Sequence, residues 1–152
     1  MTEPIQYPSL TPRHALPLLL AGQAQKEFFV NAAFASCDAL LHPAIEGETN
    51  TPPPEPQDGE GWLVGGDPTG EFAGQSGMLA FRQQSAWVFA QPRDGMRVMD
   101  RASGQHVLFN GAWRRPGPVW PPEGGAVVDS DARAAIGALI TALANAGILP
   151  EN

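Results

Sequence analysis

Residues 58–113 write one pattern twice, and this repeat constrains the fold more than any other feature of the chain. In the first copy Asp58-Gly59 precedes the apolar run Trp62-Leu63-Val64, and Leu79-Ala80-Phe81 leads through Gln83-Gln84-Ser85 to Ala86-Trp87. In the second, Asp94-Gly95 precedes Met96-Arg97-Val98-Met99, and Val107-Leu108-Phe109 leads through Asn110-Gly111 to Ala112-Trp113. Short runs of strand formers bounded by turn formers read as strand, turn, strand, turn, strand, with a tryptophan just after the last turn. Asn110-Gly111 predicts a type I′ hairpin, because Asn and Gly tolerate the two positive φ angles of that turn. Gln83-Gln84-Ser85 predicts a longer, weaker connection. The repeat implies a small antiparallel β meander or barrel over 58–115, with a core of Trp62, Val64, Leu79, Phe81, Trp87, Phe89, Val98, Val107, Phe109 and Trp113.

Helices flank this β domain, so the expected class is α+β. Over 18–43 the spacing of Ala24, Phe28, Ala32, Ala35 and Ala39 predicts a helix with an aromatic and small face, ended by Pro43, which lacks an amide proton. Over 129–152, Asp129 or Ser130 caps a second helix and Asp131 complements the dipole of its first turn. Ile136, Leu139, Ile140 and Leu143 form its apolar stripe, and Gly147 supplies a left-handed C′ residue from which Ile148 folds back on Leu143. Such a helix is too short to be stable alone and must dock. The remaining segments are proline-rich: an extended arm over 1–17, a stiff acidic linker over 44–57, and a Pro/Gly-rich linker over 116–128.

Composition narrows the function. Charged residues are only 16% of the 152, and 17 glycines with 16 prolines exceed a fifth of the chain. Soluble monomers usually carry about 25% charge, so a surface this poor in charge is expected to be covered in part by other chains. A net charge of −7 argues against nucleic acid, which needs a basic patch. No run is long enough to span a bilayer, and residues 1–10 lack the basic start and cleavage site of an export signal, so a soluble protein made in the cytoplasm is expected, with no membrane insertion.

Little points to catalysis, and no enzyme activity, cofactor or metal is expected. His14, His42 and His106 lack metal-ligand spacing, and the single cysteine, Cys37, reads as an inert buried residue on the first helix. Asp58 with Glu60, or Asp94 with Asp100, supplies two carboxylates of the kind a glycosidase needs, but Asp before Gly is better explained by local turn bonding. The glycines at 65, 66, 70, 74 and 77 read as loops rather than a phosphate cradle. Trp87 and Trp113 read as core. Trp120, inside Pro118-Val119-Trp120-Pro121-Pro122, lies outside the β pattern and is the candidate for contact with a partner or a glycan.

The run Ala21-Gly22-Gln23-Ala24-Gln25-Lys26-Glu27, continuing through Asn31 to Asp38-Ala39-Leu40-Leu41, resembles the DUF2793 family. So do Asp58-Gly59, Trp62-Leu63-Val64, Gly70-Glu71-Phe72-Ala73-Gly74, Trp87-Val88-Phe89-Ala90-Gln91-Pro92 and the stretch from Val107 to Trp113. Where the family pattern has Asn-Glu-Ala-Leu, this chain has Asn31-Ala32-Ala33-Phe34. The resemblance implies membership of a phage-like particle, a prophage or gene transfer agent, as a tail-fibre or head-spike component assembled in the bacterial cytoplasm. The expected role is a fibre or spike base, or an adaptor that attaches a host-recognition element. The alternative is a carbohydrate-binding module that contacts host-surface polysaccharide directly. The expected partners are copies of itself and other virion proteins of capsid, tail or fibre. Analogy with phage fibres favours a trimer, and a pentamer would suit a capsid vertex. The contact residues expected are Phe28, Phe29, Ala32 and Ala35 on the first helix and Ile136, Leu139, Ile140 and Leu143 on the second.

Overall fold

The computed structural model describes residues 9–22, 24–125 and 129–150. Among these residues two α-helices and eight strands, the strands in two mixed four-stranded sheets, make an α+β fold. The chain divides into two compact units, Met1–Pro43 with Glu48–Pro92, and Ala44–Gly47 with Arg93–Asn152. The repeated pattern is therefore realised as two sheets, one per unit, rather than as one meander or barrel.

The first unit holds α1 (Lys26–Leu40), β2 (Glu48–Thr49), β3 (Gly61–Val64), a 3₁₀ turn at Gly70–Phe72, β4 (Leu79–Gln83) and β5 (Ala86–Ala90). The three longer strands pair antiparallel in the order β3-β4-β5, and β2 adds to β3 in parallel, with Glu48 opposite Leu63. Side chains alternate across a strand, so Trp62, Val64, Ala80, Trp87 and Phe89 share one face. Phe72, fully buried, closes that face with near-perpendicular ring contacts, 4.9 Å to Trp87 and 5.9 Å to Phe89 between centroids. Trp62 meets Trp87 edge-on at 5.6 Å. Burying a side chain the size of Phe72 contributes about 1.5–3 kcal/mol, which makes this loop residue an anchor of the sheet. The opposite face carries Leu63, Leu79, Phe81 and Gln83, all buried.

The second unit repeats the plan. There β1 (Ala44–Ile45) adds in parallel to β6 (Arg97–Asp100), which pairs antiparallel with β7 (Gln105–Phe109), and β7 pairs with β8 (Trp113–Arg114). Ile45, Val98 and Val107 are fully buried. Trp62 opposite Ala80 in the first sheet corresponds to Val98 opposite Val107 in the second. Trp87, opposite Arg82, corresponds to Trp113, opposite Phe109. Those partners differ in chemistry: the Arg82 guanidinium lies 5.2 Å over the Trp87 ring, and Phe109 meets Trp113 edge-on at 5.2 Å.

Several expectations need correction. Residues 44–57 are not simply a linker, because they contribute β1 and β2, which make both sheets mixed rather than antiparallel. The first helix occupies Lys26–Leu40 rather than 18–43, since Gly22, Ala24 and Gln25 all have positive φ, which is incompatible with a right-handed helix. Of the arm, residues 1–8 lie outside the described residues. Residues 9–18 form a closed loop, with a bridge between Leu10 and Pro17 and bonds from the Thr11 amide to the Leu16 carbonyl and from the Leu18 amide to the Ser9 carbonyl, both 3.0 Å. Cys37 is exposed, not buried.

The two hairpins exchange their expected character. Gln83 faces Ala86 directly, so Gln84 and Ser85 alone form the connection, with φ of 49° and 61°, the double positive of a type I′ turn. Phe109 faces Trp113, which leaves the three residues 110–112 in the other turn, and there only Gly111 has positive φ.

The second helix, α2 (Ser130–Asn145), begins where the sequence places it. The Asp129 carboxylate accepts from the amides of Asp131 and Ala132 at 3.1 and 2.9 Å. It ends as expected too: Gly147 is left-handed, its amide donates to the Ala144 carbonyl at 2.8 Å, and the Ile148 amide donates to the Leu143 carbonyl at 2.9 Å.

Candidate functional site

The loop over residues 9–18 is held to α1 by one buried carboxylate. Asp38 accepts from the Thr11 hydroxyl at 2.7 Å, the His14 amide at 2.7 Å, the Arg13 amide at 3.1 Å and the Gln83 carboxamide at 3.4 Å. Arg13 then crosses the end of the helix, where carbonyls lack helical partners, and donates to the carbonyls of Asp38, Ala39 and His42 at 3.1, 2.7 and 2.8 Å. His14 shares the task, with Nε2 2.8 Å from the Leu41 carbonyl. The histidine rings of His14 and His42, far apart in sequence, come within 6.4 Å. These contacts hold the loop over residues 9–18 against the C-terminal end of α1.

The opposite end of α1 is different. A groove of about 450 Å³ runs between α1, the loop before it and the β4–β5 hairpin, within the first unit. Its walls are largely apolar, with Leu18, Leu19, Phe28, Ala32, Ala35 and Val88 among them. Asn31 fastens the loop wall, accepting from the Leu19 amide at 2.8 Å and donating to the Leu19 carbonyl at 3.0 Å. Gln83 fastens the strand wall to the helix through a 2.8 Å bond to the Ala35 carbonyl.

Glu27, in the first turn of α1, also lines this groove and is only 8% exposed. Its Oε1 accepts from the Gly22 amide at 3.1 Å, but its Oε2 is shut off from solvent and has no hydrogen-bond partner among the described residues. The helix dipole favours a carboxylate at this position. It does not supply the missing donor, and a buried charged oxygen without one is costly.

Three of the contact residues expected on α1, namely Phe28, Ala32 and Ala35, are therefore brought together along one groove. Phe29 is not; it is 81% exposed and does not line the cavity. The four expected on α2 fall in the second unit. There Ile136, Leu139 and Leu143 are exposed, Ile140 is half-buried, and no residue of α2 is buried. Trp120 is 69% exposed in the irregular stretch after β8.

Glu27 and Asp38 are missing from the sequence-derived set. Asp38 carries a readable signal, an acid one turn from both Ala35 and Leu41 on the helix face expected to be packed. Glu27 carries none, because an acid in the first helical turn is ordinarily solvated.

Asp58 and Asp94 are turn residues, but their bonds are not local. The Asp58 carboxylate accepts from the Ser85 amide at 2.9 Å, and that of Asp94 from the Gly111 amide at 2.8 Å. Each joins the Asp-Gly turn to the hairpin tip of its own sheet.

A search of the curated proteins returns no match. Residues 30–114, more than half of the chain, match the family described as "Protein of unknown function (DUF2793)". The matched stretch runs from the middle of α1 through β8 and so takes in all eight strands, while the Ala-Gly-Gln-Ala-Gln-Lys-Glu run lies just before it. The chain belongs to the DUF2793 family.

Proposed function

We propose that the protein is a structural component of a phage-like particle, a prophage or gene transfer agent, in which it serves as a fibre or spike base or an adaptor for a host-recognition element. The observation that carries this reading is α2. A helix of 16 residues, capped at both ends yet without one buried residue, presents Ile136, Leu139 and Leu143 to solvent. Helices of this length draw most of their stability from packing, so the stripe is a surface for other copies or other chains. Phe28 at 70% and Phe29 at 81% exposure make a second such surface on α1. The low charge and the motifs resembling prophage and gene transfer agent proteins support the same reading.

In this role the chain is a homo-oligomer, three copies if it forms a fibre and five if it sits at a capsid vertex, and it has other virion proteins as neighbours. Particles purified from a producing strain should contain the protein at a stoichiometry that is a multiple of the oligomer, by quantitative mass spectrometry. Its absence from particles, together with a full-length monomer at micromolar concentration, sinks the proposal.

Trp120 favours a second reading, a carbohydrate-binding module that touches host-surface polysaccharide, because an exposed indole is a stacking platform for sugar faces. Specific binding on a glycan array, abolished by Trp120→Ala in a protein that still folds, would establish that role.

A further inference from the structure

We infer that β5, an edge strand of the first sheet, pairs antiparallel with β5 of a second copy about a two-fold axis at Val88. The inference stands apart from the role in a particle and concerns a surface other than α2. Hydrogen bonding along β5 decides which backbone groups are on offer. Gln83 faces Ala86 across a two-residue turn, so these two form a bonded pair, and bonded pairs then alternate along the ladder, Phe81 with Val88 and Leu79 with Ala90. Arg82 turns the other way, its amide donating to the Glu60 carbonyl at 2.8 Å and its carbonyl accepting from the Gly59 amide at 2.7 Å. Trp87 and Phe89 therefore direct their backbone N–H and C=O groups to the outer edge, where no strand pairs with them among the described residues.

The sheets end on β1 and β8 in one and on β2 and β5 in the other. Short length, charge and proline are what keep an open edge from pairing with another chain, and β5 alone of these four has none of them. The strands β1 and β2 are two residues long, with Pro43 and Glu46 beside the first and Glu48 within the second. The counterpart of β5 in the repeat, β8, is also two residues long, and there Trp113 is followed by Arg114, Arg115 and Pro116. After Trp87 the same positions hold Val88, Phe89 and Ala90, so β5 runs for five residues without charge or proline. Ala86 is exposed, Trp87 to Ala90 are half-buried, and the groove beside α1 leaves open space against Ala86 and Val88.

The order of residues specifies the occupant. Ala86-Trp87-Val88-Phe89-Ala90 reads nearly the same in both directions. Antiparallel pairing about Val88 sets Trp87 opposite Phe89 of the second copy and Ala86 opposite Ala90, as a self-complementary two-fold contact requires. This register also matches the bonds on offer. Each Trp–Phe pair exchanges both backbone bonds, while Val88 meets Val88 of the second copy in the closer, non-bonded position. Aromatic and β-branched cross-strand pairs of this kind stabilise a sheet. A contact of one short strand buries less than the about 1,000 Å² of a stable interface, so it forms where copies are crowded and not in micromolar solution.

The test traps the pair in the full chain carrying Cys37→Ser. Val88→Cys sets two Cβ atoms about 4.5 Å apart, within reach of a disulfide. Under mild oxidation at submillimolar protein, this variant should crosslink roughly ten-fold faster than Ala86→Cys or Ala90→Cys alone, because only its thiols face each other. Ala86→Cys mixed with Ala90→Cys should crosslink to each other, with every fold checked by near-ultraviolet circular dichroism. Hydrogen exchange of the wild-type chain needs no variant: the Trp87 and Phe89 amides should exchange fast in dilute solution and more slowly at millimolar concentration.

Equal crosslinking at the three positions, or none, overturns the inference. Trp87 and Phe89 amides protected at every dilution would do the same, since the edge would then be covered within one chain. Slow exchange over residues 86–90 in purified particles, without crosslinking of Val88→Cys chains, would assign the edge to a different protein and equally overturn pairing between copies.

Discussion

The Asp58 carboxylate accepts a hydrogen bond from the Ser85 amide at 2.9 Å, and it occupies the same place in its sheet as the 2.8 Å bond from the Gly111 amide to Asp94. The surrounding backbone repeats as well. The Gly59 amide donates to the Arg82 carbonyl at 2.7 Å, and the Gly95 amide to the Phe109 carbonyl at 2.9 Å. One Asp-Gly turn thus clasps one hairpin tip in each unit, which explains why this dipeptide opens both copies of the repeat.

If the clasp is what Asp58 and Asp94 do, removing the acceptor should cost stability and keeping it should not. Asp58→Ala and Asp94→Ala should each lower unfolding stability by about 1 kcal/mol, and the two Asp→Asn variants, which retain an oxygen, by clearly less. Urea unfolding measures both. Equal losses for Ala and Asn would mean that charge, not the bond, matters.

Gln84 and Ser85 adopt the two positive φ angles of a type I′ turn without the residues that favour it. The double variant Gln84→Asn with Ser85→Gly keeps the Ser85-position amide that bonds Asp58, and it should raise stability by about 1 kcal/mol. A lower thermal midpoint would show that the turn is of another type.

Asp38 gathers four donors in a fully buried position. Asp38→Ala leaves these donors unpaired and should cost about 3 kcal/mol or more, since bonds to a charged group are worth about 1.5–3 kcal/mol each. Hydrogen exchange should quicken first at the amides of Arg13 and His14. Unchanged exchange there would refute the clasping role.

Phe72 joins a loop to the buried face of the first sheet. Phe72→Ala should destabilise by about 3–5 kcal/mol, the range for an aromatic removed from a core. The near-ultraviolet signal of Trp62 and Trp87 should weaken with it.

Leu139 is 62% exposed on α2, so Leu139→Glu should leave the fold of a single chain almost unchanged while reducing the oligomer to monomers. Light scattering of the full chain, of this variant and of a chain truncated after Gly125 provides the measurement. A wild-type monomer, or a Leu139→Glu oligomer of unchanged mass, would count against α2 as the assembly surface.

The sequence by itself determined what short-range chemistry controls. Asp129 before a run of helix formers and Gly147 after it set both ends of α2, because cap bonds reach only a few residues along the chain. The repeated apolar runs likewise marked β3, β4, β6 and β7, and the core around Trp62, Phe81, Val98 and Val107. Tertiary structure decided what depends on partners distant in the chain. The strands Ala44–Ile45 and Glu48–Thr49 are too short to carry a periodic signal and exist because β6 and β3 offer them an open edge. Phe72 looks like a loop residue until a sheet face is there to bury it. Asn110-Gly111 had the better local credentials for a two-residue turn, yet that turn formed at Gln84-Ser85, where the register of Gln83 with Ala86 and the Asp58 carboxylate hold it. Glu27 became notable only when a loop and a hairpin closed over it, since burial, which makes an unpaired oxygen costly, is a property of the folded chain and not of the residue.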